Sequence, residues 1–172
     1  DNQPAFIIAE IGINHQGDVK IAKELISKAA DAGANAVKFQ KRSISRILTK
    51  ECLEMPYDNP NSFGKTYGEH KKALELSEQD YKELFNFSLT QNVLFCASGW
   101  DEESIDFLDN LGVSFFKMAS ADLTNFPLLE HTAKKNKPVI LSTGMSDLEI
   151  VKKAYELILN YKNKISILQC TS

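Results

Sequence analysis

Long apolar runs are missing from this chain of 172 residues, and none reaches the ~18 to 20 residues that a membrane span requires. Cysteine is scarce: Cys52, Cys96 and Cys170 stand far apart in no CxxC spacing. We read them as free thiols of a reducing cytoplasm, outside any disulfide framework or metal site. An excess of positive charge is also absent. A net charge of -3 gives no electrostatic case for nucleic acid or an anionic membrane as partner. The opening "DNQPAF" has neither the basic n-region nor the long apolar core of a signal peptide. There is no internal repeat, no low-complexity tract, and no GxGxxG or Walker-type phosphate loop.

What is there is a rhythm. Short β-branched or aromatic runs at Phe6–Ile11, Ala36–Gln40, Val93–Ala97, Ser114–Met118, Val139–Ser142 and Ile165–Cys170 read as strands. None alternates cleanly between apolar and polar residues, which suits parallel strands covered on both faces. Amphipathic segments lie between them. Asp18 is the expected N-cap of one helix and Gly33 its stop; Ser77 opens another; Asp101 and Gly112 bracket a third. "SDLE", Ser146 to Glu149, reads as a capping box, and Pro127 fits the first turn of a shorter helix. Residues 41–76 break the rhythm with a long polar connection containing "MPYDNPNSFGKTYGEHK". A connection of that length is expected to be functional or disordered. The chain stops directly after the sixth strand, so we expect a piece of a longer protein.

The βα series implies a parallel sheet with right-handed connections, either open and doubly wound or part of a (β/α)8 barrel. The strand ends decide for the barrel, because all six finish in polar groups and a barrel aims every strand end at one mouth. These groups are Glu10 and Asn14, Lys38 and Gln40, Ser98, Lys117 and Ser120, Ser142 and Thr143, then Gln169, Thr171 and Ser172. Glu10 is the first puzzle among them, since burying an unpaired carboxylate in an apolar strand costs several kcal/mol. Lys38 and Lys117 carry the most chemistry. Lysine is almost never fully buried without a partner, so two aimed at one cavity imply an anionic ligand, with Ser98, Ser120 and Ser142 adding hydroxyl donors. Two other readings stay open: strand-end lysines that merely snorkel to the rim, and a single Schiff-base lysine as in aldolases. His15 and Glu10 make an incomplete metal-ligand pair, and a loop histidine is more often simply solvated. His70 is equally ambiguous, His131 reads as structural, and Trp100 suits packing as well as stacking. Asp122 can pair with Lys117 or serve as an acid/base group.

Seven stretches then match one family: "FIIAEIGINHQGD", "AVKFQK", "FGKTYGEHK", "FCASGWDEESIDFL", "FFKMASADLTNFPLLEHTAKK", "ILSTGM" and "LQCTS". Together they resemble the N-terminal catalytic barrel of sialic acid (N-acetylneuraminate) synthases, with "GKTYGEHK" and "NFPLLE" closest to animal-type members. The resemblance implies a (β/α)8 TIM barrel of which residues 1–172 hold about the first six βα units. It implies a condensation of phosphoenolpyruvate with N-acetylmannosamine or its 6-phosphate. The enol carbon attacks the open-chain aldehyde, a metal-assisted water adds to C2, and the tetrahedral intermediate loses phosphate.

Carried over by position, Lys38, Gln40, Ser98, Lys117, Ser120, Ser142 and Ser172 correspond to phosphoenolpyruvate-binding residues. Glu10 corresponds to the carboxylate that hydrogen-bonds the amino-sugar, Tyr67 lies on the sugar side, and Asp122 corresponds to an acidic site position; Glu10 and Asp122 are thus the catalytic candidates. Ser98, Asp122 and Ser172 stand where bacterial members often carry Thr, Glu and Asn, and "SGW" replaces a Thr-Pro-Phe turn. Strands 7 and 8, two metal-binding histidines and a C-terminal antifreeze-like domain are expected beyond residue 172. The implied cofactor is a divalent metal, Mn2+ first, with Mg2+ or Co2+ as substitutes. The implied assembly is a domain-swapped cytoplasmic homodimer, and the segment alone is expected to be inactive. A related legionaminic or pseudaminic acid synthase is the alternative within the class; a Schiff-base aldolase or a non-catalytic sugar-phosphate-binding barrel are the alternatives outside it.

Overall fold

A computed structural model describes residues 4–171. The chain divides into two compact units, Asp1–Phe95 and Cys96–Ser172. The first contains β1 (Ile8–Gly12), α1 (Val19–Asp31), β2 (Ala36–Lys41), α2 (Ile44–Ile47), α3 (Lys50–Glu54), α4 (Tyr67–Leu74) and α5 (Glu78–Thr90), and β3 (Leu94–Gly99) begins at its end. The second contains α6 (Glu102–Leu111), β4 (Phe116–Met118), a 3-10 turn (Ser120–Asp122), α7 (Phe126–Ala133), β5 (Val139–Ser142), α8 (Leu148–Leu159) and β6 (Ile165–Leu168). The strands form two three-stranded sheets, ordered β1-β2-β3 and β4-β5-β6. The pairs β1–β2, β4–β5 and β5–β6 are all parallel. The protein is thus α/β with parallel sheets. No helix among the described residues is long and apolar enough to cross a membrane.

Sequence dictates the ends of these elements. The Asp18 carboxylate accepts from the amides of Lys20 and Ile21 at the start of α1, and Gly33 takes the left-handed conformation beyond its end. Ser77 and Asp80 form a reciprocal capping box on α5. Asp101 caps α6 and left-handed Gly112 ends it. Pro127 sits in the first turn of α7. The Ser146–Glu149 box is corrected: α8 starts at Leu148, and Asp147 is the cap, accepting from the Ile150 amide. Both residues are competent caps, and the helix takes the one that stands next to its first turn.

Residues 41–76 are not a bare loop. They hold α2, α3 and α4, an antiparallel bridge between Pro56 and Thr66, and a capping box in which Thr66 and Glu69 satisfy each other's backbone. The strands also differ at their margins. β1 begins at Ile8, leaving Phe6 and Ile7 exposed, and β6 ends at Leu168. Only Ile11 of β1 is buried. In its three-stranded sheet β1 has a neighbour on one side only.

The first unit buries Ala22 and Ile26 of α1, Val37 and Phe39 of β2 and Leu84 of α5. Phe39 stacks on Phe95 at 5.0 Å, and Tyr81 and Phe85 meet Phe95 edge-on. The second buries Ile105, Leu108, Phe116, Met118, Leu129, Leu141, Ala154 and Ile158. Burial in unbroken runs, as at Ala36–Phe39 and through all of β4, is the pattern of parallel strands covered on both faces.

Candidate functional site

Glu10 and Lys38 are cross-strand partners in the β1–β2 register. Their side chains therefore emerge side by side, and Lys38 Nζ meets Glu10 Oε2 at 2.7 Å. Lys38 is buried, while the Glu10 side chain is 56% exposed. The awkward carboxylate of the apolar strand is thus the counter-ion of an interior ammonium, with one flank open to solvent. Directly after it the register shifts between Glu10 and Gly12, where Gly12 adopts φ +59. A Cβ on Gly12 would lie 3.7 Å from Gln40 Nε2, so the Gln40 amide reaches the same strand end.

His15, in the turn after β1, is not solvated as a loop histidine usually is. It is 1% exposed, lies 5.8 Å from the Phe39 ring, and accepts from the Gly17 amide at Nδ1. Burial holds its pKa below the ordinary value, with nearby Arg42 adding to the effect. Its neutral form then carries the proton on Nε2. Gly17 has to be glycine, because at φ +80 its Cβ would stand 2.1 Å from the Ala73 carbonyl oxygen.

Beyond β2, Tyr67 opens α4 in an aromatic group. Tyr57 packs edge-on to Tyr67 and against the half-buried His70, which Phe63 also stacks upon. The Lys71 ammonium lies 4.9 Å from the Tyr67 ring centre.

The second unit gathers its own polar groups. Lys117 pairs in register with Ile140, and Ser142 lies two residues further along the same face of β5. Leaning along the sheet, Lys117 Nζ donates to Ser142 Oγ at 2.5 Å and to the Met118 carbonyl at 3.3 Å. It is only 5% exposed. Ser120 Oγ accepts from the Gly144 amide at 3.0 Å. Asp122, buried in the 3-10 turn, keeps Oδ2 without a hydrogen-bond partner among the described residues. Burial pushes its pKa up to about 6, opposed by a hydrogen bond with Asn125. Ser98, at the end of β3, is 1% exposed, and its hydroxyl also lacks a partner among the described residues. An orphaned buried hydroxyl is costly and calls for an explanation.

One member of this cluster escaped sequence reasoning, which left Cys170 as a bystander thiol. Hydrogen bonding with Ser142, joined by the Thr143 and Gly144 backbone and Ser120, holds its pKa below the usual thiol value. No spacing motif could have signalled it, because its partners come from two other strand ends. His131 lies on α7, with Nε2 2.6 Å from Asp106, whose carboxylate also pairs with Lys135. That is a surface ion network. Ser172 lies outside the described residues. Among the described residues no group of three or more His, Cys, Asp or Glu is placed to hold a metal.

A model of the NeuB family matches residues 25–172. The chain belongs to the NeuB family. It is 46% identical over 169 residues to the N-acetylneuraminate-9-phosphate synthase of Mus musculus, covering 98% of this chain and 47% of that protein. It is 43% identical over 173 residues to the N,N'-diacetyllegionaminic acid synthase of Legionella pneumophila, covering 97% of this chain and 49% of that protein. Among solved structures, the N-acetylneuraminic acid (sialic acid) synthetase of Leptospira borgpetersenii in complex with citrate superposes with a TM-score of 0.85 at 33% identity. That match covers 99% of this chain and 55% of the other. The chain spans about half the length of the curated relatives it matches.

Proposed function

We propose that this NeuB-family chain is the N-terminal part of a phosphoenolpyruvate-dependent sialic acid synthase, and that its six strands are the first six of a (β/α)8 barrel. The observation that carries the reading is the buried Lys117 ammonium bonded to Ser142 Oγ, close in sequence to Ser120 and the acidic Asp122. A buried cation among hydroxyls suits a phosphate or carboxylate.

Lys38, Gln40, Ser98, Lys117, Ser120, Ser142 and Ser172 bind phosphoenolpyruvate on this reading. The orphaned Ser98 hydroxyl is then waiting for a ligand oxygen. Glu10 orients the sugar, with Tyr67 beside it. Asp122, its pKa near 6, holds a proton within reach of neutral pH for the aldehyde oxygen that becomes a hydroxyl. C3 of phosphoenolpyruvate bonds to the aldehyde carbon, water supplies the oxygen at C2, and the C2–O bond breaks to release phosphate. A divalent metal, Mn2+ first, belongs to the proposed reaction and would assist the water that adds at C2. A domain-swapped cytoplasmic homodimer completes the reading.

N-acetylmannosamine 6-phosphate is the favoured acceptor, supported by the 46% identity to a relative named as a 9-phosphate synthase. A legionaminic acid synthase is the second reading, supported by the 43% identity to the Legionella protein. The test supplies the full-length protein with phosphoenolpyruvate, Mn2+ and one of three acceptors: N-acetylmannosamine 6-phosphate, N-acetylmannosamine or a diacetamido-deoxy sugar. Phosphate release with the first and little with the others is expected, and none from residues 1–172 alone. Release with no acceptor but the diacetamido sugar transfers the assignment to the second reading, and release with none removes both.

A further inference from the structure

We propose that Tyr81, together with the buried Arg42–Glu75 ion pair, is a positioning element that fixes Gln40 and the exit of β2 for phosphoenolpyruvate; this rests on the reaction proposed above. Gln40 lies two residues after Lys38, on the same face of the strand. Its backbone carbonyl accepts a hydrogen bond from the Tyr81 hydroxyl. The Tyr81 ring is fully buried, set edge-on to Phe95. Two residues past Gln40, Arg42 turns inward, and its Nε and Nη2 meet Glu75 Oε1 at 2.6 and 2.5 Å. Glu75 ends α4, and Tyr81 stands on the first turns of α5. The seven residues from Glu75 to Tyr81 therefore hold the end of β2 at two points.

Stability does not explain this arrangement. Burying an ion pair sacrifices the hydration of both charges, and well-packed apolar residues of the same volume often serve a fold as well or better. Here the sacrifice is larger, since Glu75 Oε2 has no hydrogen-bond partner among the described residues. Burial accordingly pushes the Glu75 pKa up against the pull of Arg42. What the pair does supply is direction. Arg42 Nε and Nη2 both close on the single oxygen Oε1 of Glu75, which ties the charge-assisted contact to one point inside the fold, and the residue so tied stands two places from Gln40. The Gln40 side chain in turn reaches the Gly12 end of β1, where Glu10 and Lys38 meet. A peptide plane that rocks at Gln40 would displace an amide at the site by a distance that matters for binding.

Tyr81→Phe removes one hydroxyl and leaves the ring. In the full-length protein we expect the KM and the calorimetric Kd for phosphoenolpyruvate to rise about tenfold, the effect of one lost hydrogen bond passed on to the ligand. The acceptor-sugar KM should stay within about twofold. Glu75→Ala should shift the phosphoenolpyruvate values in the same direction, and Glu75→Gln, which keeps an acceptor for Arg42, should restore most of the affinity. If Glu75→Ala does not fold, Tyr81→Phe decides alone. A Tyr81→Phe protein with lowered melting temperature but unchanged phosphoenolpyruvate constants makes the cluster merely structural and overturns the inference. Wild-type protein that does not bind phosphoenolpyruvate at all overturns instead the reaction on which the inference rests.

Discussion

At the scale of single residues, Asp122 couples chemistry to stability. Its pKa is raised to about 6, so the folded protein binds its proton more tightly than the unfolded chain does. The stability gained from that proton is full below the ordinary carboxylate range and is lost as pH rises through about 6. Asp122→Asn removes the titration, so its unfolding free energy should pull ahead of that of wild type as pH rises from 5 to 7.5, by about 1–3 kcal/mol at the upper end. Parallel thermal curves at all pH values would show that Asp122 titrates normally. Glu10 obeys different physics, because its side chain is 56% exposed and its partnership with Lys38 is half solvated. Glu10→Gln should still fold, at a cost of about 1–3 kcal/mol because the buried Lys38 ammonium keeps an acceptor but loses its counter-charge, and should lose most of its turnover. Misfolding with full activity per folded molecule would make the carboxylate structural. Glu10 was legible in the sequence as a polar break in an apolar run, and Asp122 by its place just after Ser120 at a strand end; Cys170 and Glu75 were not, because distant segments create their environments.

At the scale of elements, the strands and long helices were legible because each carries a period or a cap that acts locally. Asp18, Ser77, Asp101 and Pro127 each do in the structure what their side-chain chemistry prescribes. The stretch from 41 to 76 was not legible as helix. Its three helices have 4, 5 and 8 residues, too short for a 3.6-residue period to stand out. One signal was present and unused: Thr66 to Glu69 has the spacing of a capping box. The same stretch makes a close approach to the turn that follows β1. Gly17 has no room for a side chain against the Ala73 carbonyl next to the end of α4, and it needs a left-handed backbone as well. Gly17→Ala should therefore destabilise the protein by more than the ~1 kcal/mol of an ordinary backbone substitution. Chemical denaturation checks this, and a midpoint equal to wild type would mean that the turn relaxes freely.

At the scale of the whole molecule, the chain is two compact α/β units, each with a parallel sheet and each with polar groups at its strand ends. Family membership follows from the match across residues 25–172, and the reaction assigned to the family's longer members is the proposal tested by acceptor choice. What sequence could not supply at this scale is pairing. That Lys117 leans to Ser142, or that Lys38 holds Glu10, depends on strand register, and register is set by packing between segments far apart in the chain.

The register of Glu10 against Lys38 has a last consequence. The ammonium is already occupied before any substrate arrives, so the protein carries its own placeholder anion. A stray chloride or inorganic phosphate must compete with a tethered carboxylate whose local concentration it cannot match. On the proposed reaction, phosphoenolpyruvate would bring several contacts at once and could share or displace it. On that proposal the ion pair would act as a threshold, making weak anions poor ligands without closing the site to the strong one.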